Sequence, residues 1–478
     1  MASAAQRGSL WGMRKDKGTS RAAGATAKQQ HSLEHRILIT ATMCLLAFGA
    51  VMVYSASSAT TLLQGRGNGS GYLIKYVMYG AVGLVLMRVL ARDGVAKVQS
   101  ITAPLLVVSF VLVLAVHIPH VGVSVNGARR WIGPGPFQFQ PSELMKLALV
   151  LYAATLLAKR PQRVHDLREL ANPLLLVVGG ACLLVVTQPD LGTAMVIAFT
   201  TCALLVAAGL PLRNLAILAG VTLALVFMYA LVKPYARARL TSFLDPWAHA
   251  SGSGFQAVQG QIAIGSGGLF GAGPGQSVQK IFYLPEAPTD FILAVIGEEL
   301  GVVGVFGLLF LYGLIAYAGL RAAKGARSLY SALIAVGMTA LIVSQAILNV
   351  FAVLGLAPLT GVPLPFVSYG SSSLIVMLAA MGMLMNVAAG GTAHVRAVAP
   401  ARKRRSTRAR SADGRTAEGR PAQTTAAQAR SARGGSADAQ GREPGRWDRE
   451  QSTEDRDRRR GNRGARGTGA GGGRRAAG

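Results

Sequence analysis

Residues 283–301 read YLPEAPTDFILAVIGEELG, and they join a proline-rich acidic segment to the start of a long apolar run. Two carboxylates, Glu286 and Asp290, lie at this junction. Acidic groups are costly close to hydrocarbon, so their presence at such a boundary indicates a functional site. The apolar run that begins at Asp290 predicts a membrane helix. The rest of the sequence predicts how many helices accompany it and which side of the membrane the acids face.

Similar apolar runs, separated by short polar links, fill the middle of the chain. The 478 residues are 51% hydrophobic and only 15% charged. The runs approach the ~20 residues that a helix needs to cross a bilayer. We therefore predict an all-α integral membrane protein with about ten transmembrane helices in a domain over residues 36–389. The helices are predicted to start near Ile37, Tyr72, Ile101, Pro141, Asn172, Leu191, Asn214, Asp290, Leu329 and Ser371.

The distribution of lysine and arginine predicts the orientation. Cytoplasmic loops carry an excess of these residues. With a cytoplasmic N-terminus, the basic clusters at 14–36, 88–97, 159–168 and 321–327 all lie in the cytoplasm, and so do both ends of the chain. A large loop at 233–289, between helices 7 and 8, then faces outward. Five acids of the membrane domain collect on this outer side, namely Glu143, Asp190, Asp245, Glu286 and Asp290.

Both tails differ from the membrane domain in composition. Residues 1–35 are polar and basic, and residues 390–478 are rich in Arg, Ala, Gly and Ser. Such segments cannot bury an apolar core, so we predict two disordered cytoplasmic tails. The basic run RKRR at 402–405 favours attraction to anionic membrane lipids over nucleic-acid binding. The three cysteines lie inside apolar runs without CxxC spacing, so no metal site is predicted.

Residues 126–149 read NGARRWIGPGPFQFQPSELMKLAL and combine an outward loop with the start of a helix. Arg129, Arg130 and Trp131 lie in the loop, while Glu143 and Lys146, three residues apart, share one face of the helix. The density of polar groups favours a substrate site. The alternative is that the basic residues snorkel and that Trp131 belongs to an interfacial aromatic belt.

Two further motifs place polar residues at predicted helix starts. Asp190 in TQPDLGTAMV, at 187–196, has the position of a cap that accepts hydrogen bonds from the first turn. Ser371 opens the serine run of LPLPFVSYGSSSL, at 363–374. A serine nucleophile needs a positioned base, and no histidine is near in sequence, so anion binding or capping is the better interpretation.

The large loop contains two cations and a glycine-rich stretch. Arg237 and Arg239 precede Asp245 in RARLTSFLDPW, at 237–247. The stretch GSGGLFGAGPGQ, at 265–276, is not a phosphate-binding P-loop because no Gly-Lys-Ser/Thr follows the glycines. We predict a compact re-entrant or surface loop, since non-helical backbone at membrane depth must be buried in protein or line a wet cavity.

The opening segment itself has two interpretations. Prolines keep the backbone extended, and Thr289 or Asp290 is placed to cap the following helix. The helix dipole favours an ionised Asp290, whereas burial raises its pKa. An ionised carboxylate at the edge of an aqueous pocket is a candidate general base. Glu298 and Glu299 lie two turns deeper, where each requires a cavity or a cationic partner.

Together, the blocks NGARRWI, QPSELMKLAL, QPDLGTA, LPEAPTDFILAVIGEELG and PLPFVSYGSSSL resemble the SEDS family (shape, elongation, division and sporulation). The resemblance extends over residues 36–389, which hold all ten predicted helices, and excludes the tails. RLTSFLDPW and LPEAPTDFI resemble the division branch of the family more than the elongation branch. TDFIL departs from the commoner TDFIF at an apolar position only.

This resemblance implies a peptidoglycan glycosyltransferase that acts on lipid II at the division septum. The essential aspartate of the family corresponds to Asp290, and its loop tryptophan and helical acid–base pair correspond to Trp131, Glu143 and Lys146. We expect Asp290 to act as the base, with Glu286 supporting the loop or the acceptor sugar. Cations that would stabilise the pyrophosphate leaving group are Arg129, Arg130, Lys146, Arg237, Arg239 and Lys280. No cofactor is evident. A divalent cation bound to the pyrophosphate is an alternative that the sequence does not decide.

The family also implies partners and two competing functions. The expected partner is a class B penicillin-binding protein with a single membrane helix, together with other division proteins. A lipid II flippase would also use intramembrane acids and broken helices, but its polar residues should spread across the bilayer midplane. A scaffold that recruits a transpeptidase would use the basic tails, yet it leaves the outward acids unexplained.

Overall fold

The computed structural model describes residues 5–65, 68–125, 128–134 and 138–393, so the predicted C-terminal tail lies outside the described residues from 394 onward. The regular secondary structure of the described residues is helical apart from one small hairpin. The helices are α1 (Ala5–Leu63), α2 (Gly71–Ala115), α3 (Pro141–Lys159), α4 (Leu167–Leu170), α5 (Leu176–Thr187), α6 (Leu191–Ala207), α7 (Leu212–Val232), α8 (Pro234–Leu244), α9 (Phe255–Gly267), α10 (Ile292–Lys324), α11 (Leu329–Val353) and α12 (Ser371–Ala388).

Nine helical segments in the described ranges are long and apolar enough to cross a membrane, and the 17-residue helix α6 is a shorter apolar one. Their positions agree with the ten predicted helices. The nine segments are Leu33–Leu63, Gly71–Arg92, Gly94–Ala115, Pro141–Lys159, Arg168–Thr187, Leu212–Val232, Ile292–Lys324, Leu329–Val353 and Ser371–Ala388.

Helix α1 begins at Ala5. The disordered cytoplasmic tail over residues 1–35 stays a prediction. No proline occurs before residue 36, so nothing in the backbone stops the helix before its apolar part, which begins at Leu33.

Helix α12 occupies the centre of the bundle and contacts α2, α11, α1 and α10. Small residues allow this close packing: a Cβ added at Gly382 would lie 2.5 Å from the carbonyl oxygen of Met87. At one end of α12, the Ser372 hydroxyl accepts a hydrogen bond from the Gln140 N–H. At the other end, Asn386 donates to the carbonyls of α2.

Helix α2 comprises two spans that run in opposite directions. Tyr72 stacks edge-on against Tyr369 just before α12, and the carbonyl of Arg92 accepts from Asn386 near the end of α12. The second span returns, because the Val113 carbonyl accepts from Gln188, the residue that follows α5. We refer to the end of the bundle where α3, α10 and α12 begin as the Asp290 end.

The segment between α2 and α3 forms the hairpin. Strands β1 (Gly122–Val125) and β2 (Ala128–Ile132) pair antiparallel, with Val123 opposite Trp131. Ile132 forms an additional bridge with Phe139. The hairpin therefore carries the Arg-Arg-Trp sequence at the Asp290 end, directly before α3.

Helix α10 is broken at Gly301, whose φ of 65° lies in the left-handed region. The break frees two carbonyls, those of Glu298 and Glu299. They accept hydrogen bonds from the N–H groups of Ala272 (2.9 Å) and Gly273 (3.0 Å). The glycine-rich stretch of the large loop therefore replaces the missing turn of the helix.

The exchange is reciprocal. The N–H groups of Val302 and Val303 donate to the carbonyls of Gly268 (3.0 Å) and Leu269 (3.2 Å). Glycine is required in the loop because a Cβ at Gly271 would lie 2.1 Å from a carbonyl oxygen of α10. All four backbone groups at the break are thus satisfied within the protein, as a chain at membrane depth requires. The break lets residues 292–300, which follow Asp290, take their own direction.

Candidate acid–base site

Asp290 lies just before α10, and its carboxylate does not cap the helix. The cap position belongs to Phe291, and no side chain bonds the free N–H groups there. The prediction that Thr289 or Asp290 caps the helix is therefore wrong. The chain turns sharply at Glu286, whose φ is 58°, so the N–H groups of Thr289 and Phe291 donate to the Glu286 carbonyl instead. This turn leaves the Asp290 carboxylate available for chemistry.

The Thr289 hydroxyl lies between the two acids of the opening segment. Its oxygen is 3.2 Å from Asp290 Oδ1 and 3.0 Å from Glu286 Oε2. A hydroxyl carries one hydrogen, so Thr289 can donate to one carboxylate at a time. Asp290 is partly buried, whereas Glu286 is exposed.

The surroundings of Asp290 raise its pKa toward neutral pH. Burial raises the pKa of Asp290 to about 7, and the charge of Glu286 acts in the same direction. Hydrogen bonds from its own N–H and from Thr289, and the charge of Arg239, lower it. A general base functions best when its pKa is close to the working pH, and Asp290 meets that condition.

Arg239 is a cation whose charge lowers the pKa of Asp290. Its Nη1 donates to the Leu359 carbonyl at 2.7 Å, and its guanidinium lies 4.6 Å from the centre of the Tyr235 ring. Burial lowers the pKa of Arg239, and so does the charge of Arg130, while Asp290 and Asp190 raise it. The two arginines and two aspartates thus form one electrostatic cluster.

Arg130 is held in this cluster by the link between α5 and α6. Its Nε donates to the Gln188 carbonyl at 3.0 Å, and its Nη2 donates to the Pro189 carbonyl. The neighbouring residue on β2, Arg129, is exposed. Trp131 is partly buried. The hairpin therefore directs one of its two arginines toward the site.

Asp190 is buried and caps α6, as predicted. Its Oδ1 accepts from the Thr193 N–H at 3.2 Å. Its Oδ2 accepts from Gln140 Nε2 (3.1 Å) and from the Ser142 hydroxyl (3.5 Å). One carboxylate thereby joins the starts of α3 and α6, which makes its role structural as well as electrostatic.

Glu143 and Lys146, on α3, form a buried ion pair. They share one helix face, as the spacing predicts, with 2.9 Å between Lys146 Nζ and Glu143 Oε1. Lys146 also donates to Gln345 Oε1 at 2.7 Å. Both charged residues are almost fully buried, at 2% and 1% exposure. Their charges are directed at each other and at Gln345, so the structure does not present them to a substrate.

Lys280 is enclosed in a second ion pair, at the break of α10. Its Nζ lies 2.7 Å from Glu299 Oε1, and both groups bond the Ser55 hydroxyl of α1. Glu298 accepts from the Ser277 hydroxyl and from two backbone N–H groups. The prediction of a cationic partner is confirmed for Glu299, whereas Glu298 is satisfied by hydroxyl and N–H donors without a cation. Lys280 is therefore buried and paired in this structure.

The remaining predicted residues, Arg237 and Ser371, bond to backbone carbonyls. Arg237 is exposed, and its Nη2 donates to the Leu231 carbonyl at 2.5 Å. Ser371 donates to the Gln138 carbonyl at 3.2 Å, and the cap position of α12 is Gly370 without a side-chain bond. Ser371 therefore ties the hairpin segment to α12 and does not cap it. In the described ranges, no three His, Cys, Asp or Glu residues are grouped as a metal site.

Sequence reasoning missed two amides on α11. Asn349 Nδ2 donates to the Asp290 carbonyl at 2.7 Å, and Gln345 bonds Lys146. They are four residues apart in an otherwise apolar run, SQAILNVF, so they share one face of the helix. That spacing is the feature from which they could have been found, because uncompensated amides are costly inside a membrane.

Fold and site together define a polytopic helical membrane protein with a carboxylate, Asp290, whose pKa is raised to about 7 and is lowered in turn by the charge of Arg239, at one end of the bundle. A family model described as "Cell cycle protein", FTSW_RODA_SPOVE, matches residues 35–392. The chain belongs to this family.

Several relatives match nearly their whole length. Stage V sporulation protein E of Bacillus subtilis is 40% identical over 73% of this chain and 96% of its own. The probable peptidoglycan glycosyltransferase FtsW of Coxiella burnetii is 40% identical over 73% of this chain and 95% of its own.

Solved structures of similar sequence share the fold. A chain from a peptidoglycan synthase complex that coordinates polymerization and crosslinking superimposes with a TM-score of 0.61 at 32% identity, over 73% of this chain and 96% of that chain. The rod shape determining protein RodA of Thermus thermophilus gives a TM-score of 0.53 at 31% identity, over 73% of this chain and 95% of that chain.

Proposed function

We propose that this protein is a peptidoglycan glycosyltransferase that polymerises lipid II at the outer face of the cytoplasmic membrane during septal wall synthesis. The observation that carries the proposal is the carboxylate of Asp290. Its pKa is about 7, it does not cap the helix, and the charge of Arg239 lowers its pKa. The name of the Coxiella burnetii relative supports the same reaction class.

Asp290 is the general base in this proposal. It removes the proton from the 4-hydroxyl of the acceptor GlcNAc, whose oxygen attacks C1 of the donor MurNAc. The new C1–O bond forms as the bond from C1 to the pyrophosphate breaks, and the lipid pyrophosphate leaves with the electron pair. Inversion at C1 converts an α-linked donor into a β-linked strand. Asp290 then releases its proton to water.

Arg239 and Arg130 are the cations that this geometry favours for the pyrophosphate. Both belong to the electrostatic cluster that includes Asp290. Positive groups that are placed before the reaction stabilise charge that develops on a leaving group. Lys146 and Lys280 are less suited, because each is almost fully buried and paired with a glutamate. Arg129 and Arg237 are both exposed, which supports assigning them contacts with the lipid phosphates in this proposal.

The proposal includes an orientation and a partner. The Asp290 end faces outward and both termini lie in the cytoplasm, which agrees with the basic residues Arg92, Lys97, Arg321 and Lys324 at the opposite end. A class B penicillin-binding protein is the proposed partner. Its support is the similarity to a chain from a synthase complex that coordinates polymerization and crosslinking.

The decisive test uses purified protein with its transpeptidase partner and labelled lipid II in detergent. We expect glycan strands from the wild type and a loss of about 10²–10⁴-fold in rate for Asp290→Asn, the range for removing a general base. Asp245→Asn is the matched control, since Asp245 is an exposed carboxylate of the same large loop.

Equal rates for Asp290→Asn and the wild type would refute the assignment of the base. Translocation of lipid II across vesicle membranes, without polymer under any condition, would favour the flippase. A product pattern that depends only on the presence of the partner would favour the scaffold.

A further inference from the structure

We propose that Asn349 is a positioning residue for the Asp290 carboxylate, an inference that rests on the proposed role of Asp290 as base. Asn349 lies on α11 and is 1% exposed. Its Nδ2 donates one hydrogen to the Asp290 carbonyl (2.7 Å) and one to the Val362 carbonyl (2.8 Å). One planar amide thereby joins the segment that carries the acid to the loop that faces it.

The loop held by Asn349 forms a wall beside the acid. Gly361, next to Val362, has a φ of 68°, and a Cβ built there would lie 3.8 Å from Asp290 Oδ2. The same loop holds the other side of the opening segment, because the Tyr369 N–H donates to the Pro288 carbonyl at 2.9 Å. The two hydrogens of an amide point in fixed directions, so Asn349 sets the distance between Asp290 and this wall.

Asn349 is needed because α10 does not position Asp290 by itself. The helix begins after Asp290 without a side-chain cap, and its break at Gly301 separates residues 292–300 from the longer part that follows. The approach of Asp290 to the wall therefore depends on side chains from α11. A misplacement of ~1 Å in a catalytic group costs on the order of 10²-fold in rate.

Gln345 repeats the arrangement one helical turn away. Its Nε2 donates to the Pro363 carbonyl (3.0 Å) and to the Ser373 hydroxyl (3.1 Å), and its Oε1 accepts from Lys146. The amides of α11 thus hold two successive residues of the wall, Val362 and Pro363. The buried Glu143–Lys146 pair fixes the orientation of the Gln345 amide. This gives the pair a role in the site although it is enclosed.

A matched control lies at the opposite end of the bundle. Asn386 on α12 is also buried, at 4% exposure, and its Nδ2 donates to two carbonyls, those of Ala91 (2.9 Å) and Arg92 (2.7 Å). Asn349→Leu and Asn386→Leu each remove two buried hydrogen bonds and should destabilise the protein to a similar extent. They differ in their distance from Asp290.

The test compares these variants in the full-length protein with its partner, by lipid II polymerisation rate and by thermal unfolding in detergent. We expect Asn349→Leu to lower kcat by at least ~10-fold with KM within about twofold, while Asn386→Leu lowers the unfolding midpoint similarly and leaves kcat within about twofold. Asn349→Gln, which keeps the amide but displaces it, should give an intermediate kcat. The acidic limb of the pH–rate profile should stay near pH 7, because the charges around Asp290 remain.

Equal losses of kcat in Asn349→Leu and Asn386→Leu would overturn the proposal and leave Asn349 as a structural residue. If Asn349→Leu does not fold, Asn349→Gln decides: wild-type kcat in that variant would overturn the proposal. The proposed function fails by a different result, namely an Asp290→Asn variant that polymerises at the wild-type rate.

Discussion

Replacing Glu286 by glutamine should move the acidic limb of the pH–rate profile to lower pH. The charge of Glu286 raises the pKa of Asp290, which is about 7. The Thr289 hydroxyl lies 3.0 Å from Glu286 Oε2 and 3.2 Å from Asp290 Oδ1, so the two carboxylates are within about 6 Å of each other. Neutralising Glu286 removes a repulsion between like charges and allows Asp290 to ionise more easily.

The size of the shift follows from this distance. Two unit charges about 6 Å apart interact by ~0.7 kcal/mol in water and ~3 kcal/mol at an effective dielectric of 20, which corresponds to ~0.5 to ~2 pH units. Because Glu286 is exposed, the lower value applies. At pH 6, a pKa near 7 leaves roughly a tenth of Asp290 ionised, and a shift of ~0.5 raises this to roughly a quarter. The rate at pH 6 should therefore increase about 2.5-fold, with no increase above pH 8.

The assay is the initial rate of lipid II polymerisation from pH 5 to 9, with saturating partner protein. Arg239→Gln should have the opposite effect. Because the charge of Arg239 lowers the pKa of Asp290, its removal should move the acidic limb to higher pH. Asp245→Asn is the neutral control, since Asp245 is not among the groups that shift this pKa. An unmoved limb in Glu286→Gln, or one that moves to higher pH, would refute the assignment of the limb to Asp290.

Further predictions concern the buried contacts. Lys280→Met should lower the stability measured by thermal unfolding by about 3–5 kcal/mol, because it leaves Glu299 buried and unpaired, whereas the double change with Glu299→Gln should recover most of it. Lys146→Met should likewise lower stability, and the double change with Glu143→Gln should restore most of it. The polymerisation rate should not recover fully in the double variant, because both variants lose the hydrogen bond from Lys146 to Gln345. Gly301→Ala should reduce folded yield in detergent and lower the unfolding midpoint, because a Cβ there would lie 2.4 Å from a backbone nitrogen at a φ of 65°; an unchanged midpoint would contradict the described break.

Much of the fold was predictable because the length of an apolar run is a local property. A bilayer demands about 20 apolar residues per helix, so the ten spans could be counted from hydrophobicity alone. The small hairpin at Gly122–Val125 and Ala128–Ile132 was not predicted, since its pairing depends on turn geometry and not on hydropathy.

The sequence by itself determined that acids and arginines collect in the loops of a membrane protein, and the family resemblance of its motifs favoured Asp290 over Glu286 as the base. Only the tertiary structure decided which of these charges are available. Lys146 and Lys280 look equivalent to Arg239 in sequence, but each meets a glutamate in the bundle, and Glu299 is paired only because the large loop folds back onto the break of α10. Asn349 reaches Asp290 from 59 positions away. Such partners are set by the packing of distant helices, and no local pattern records them.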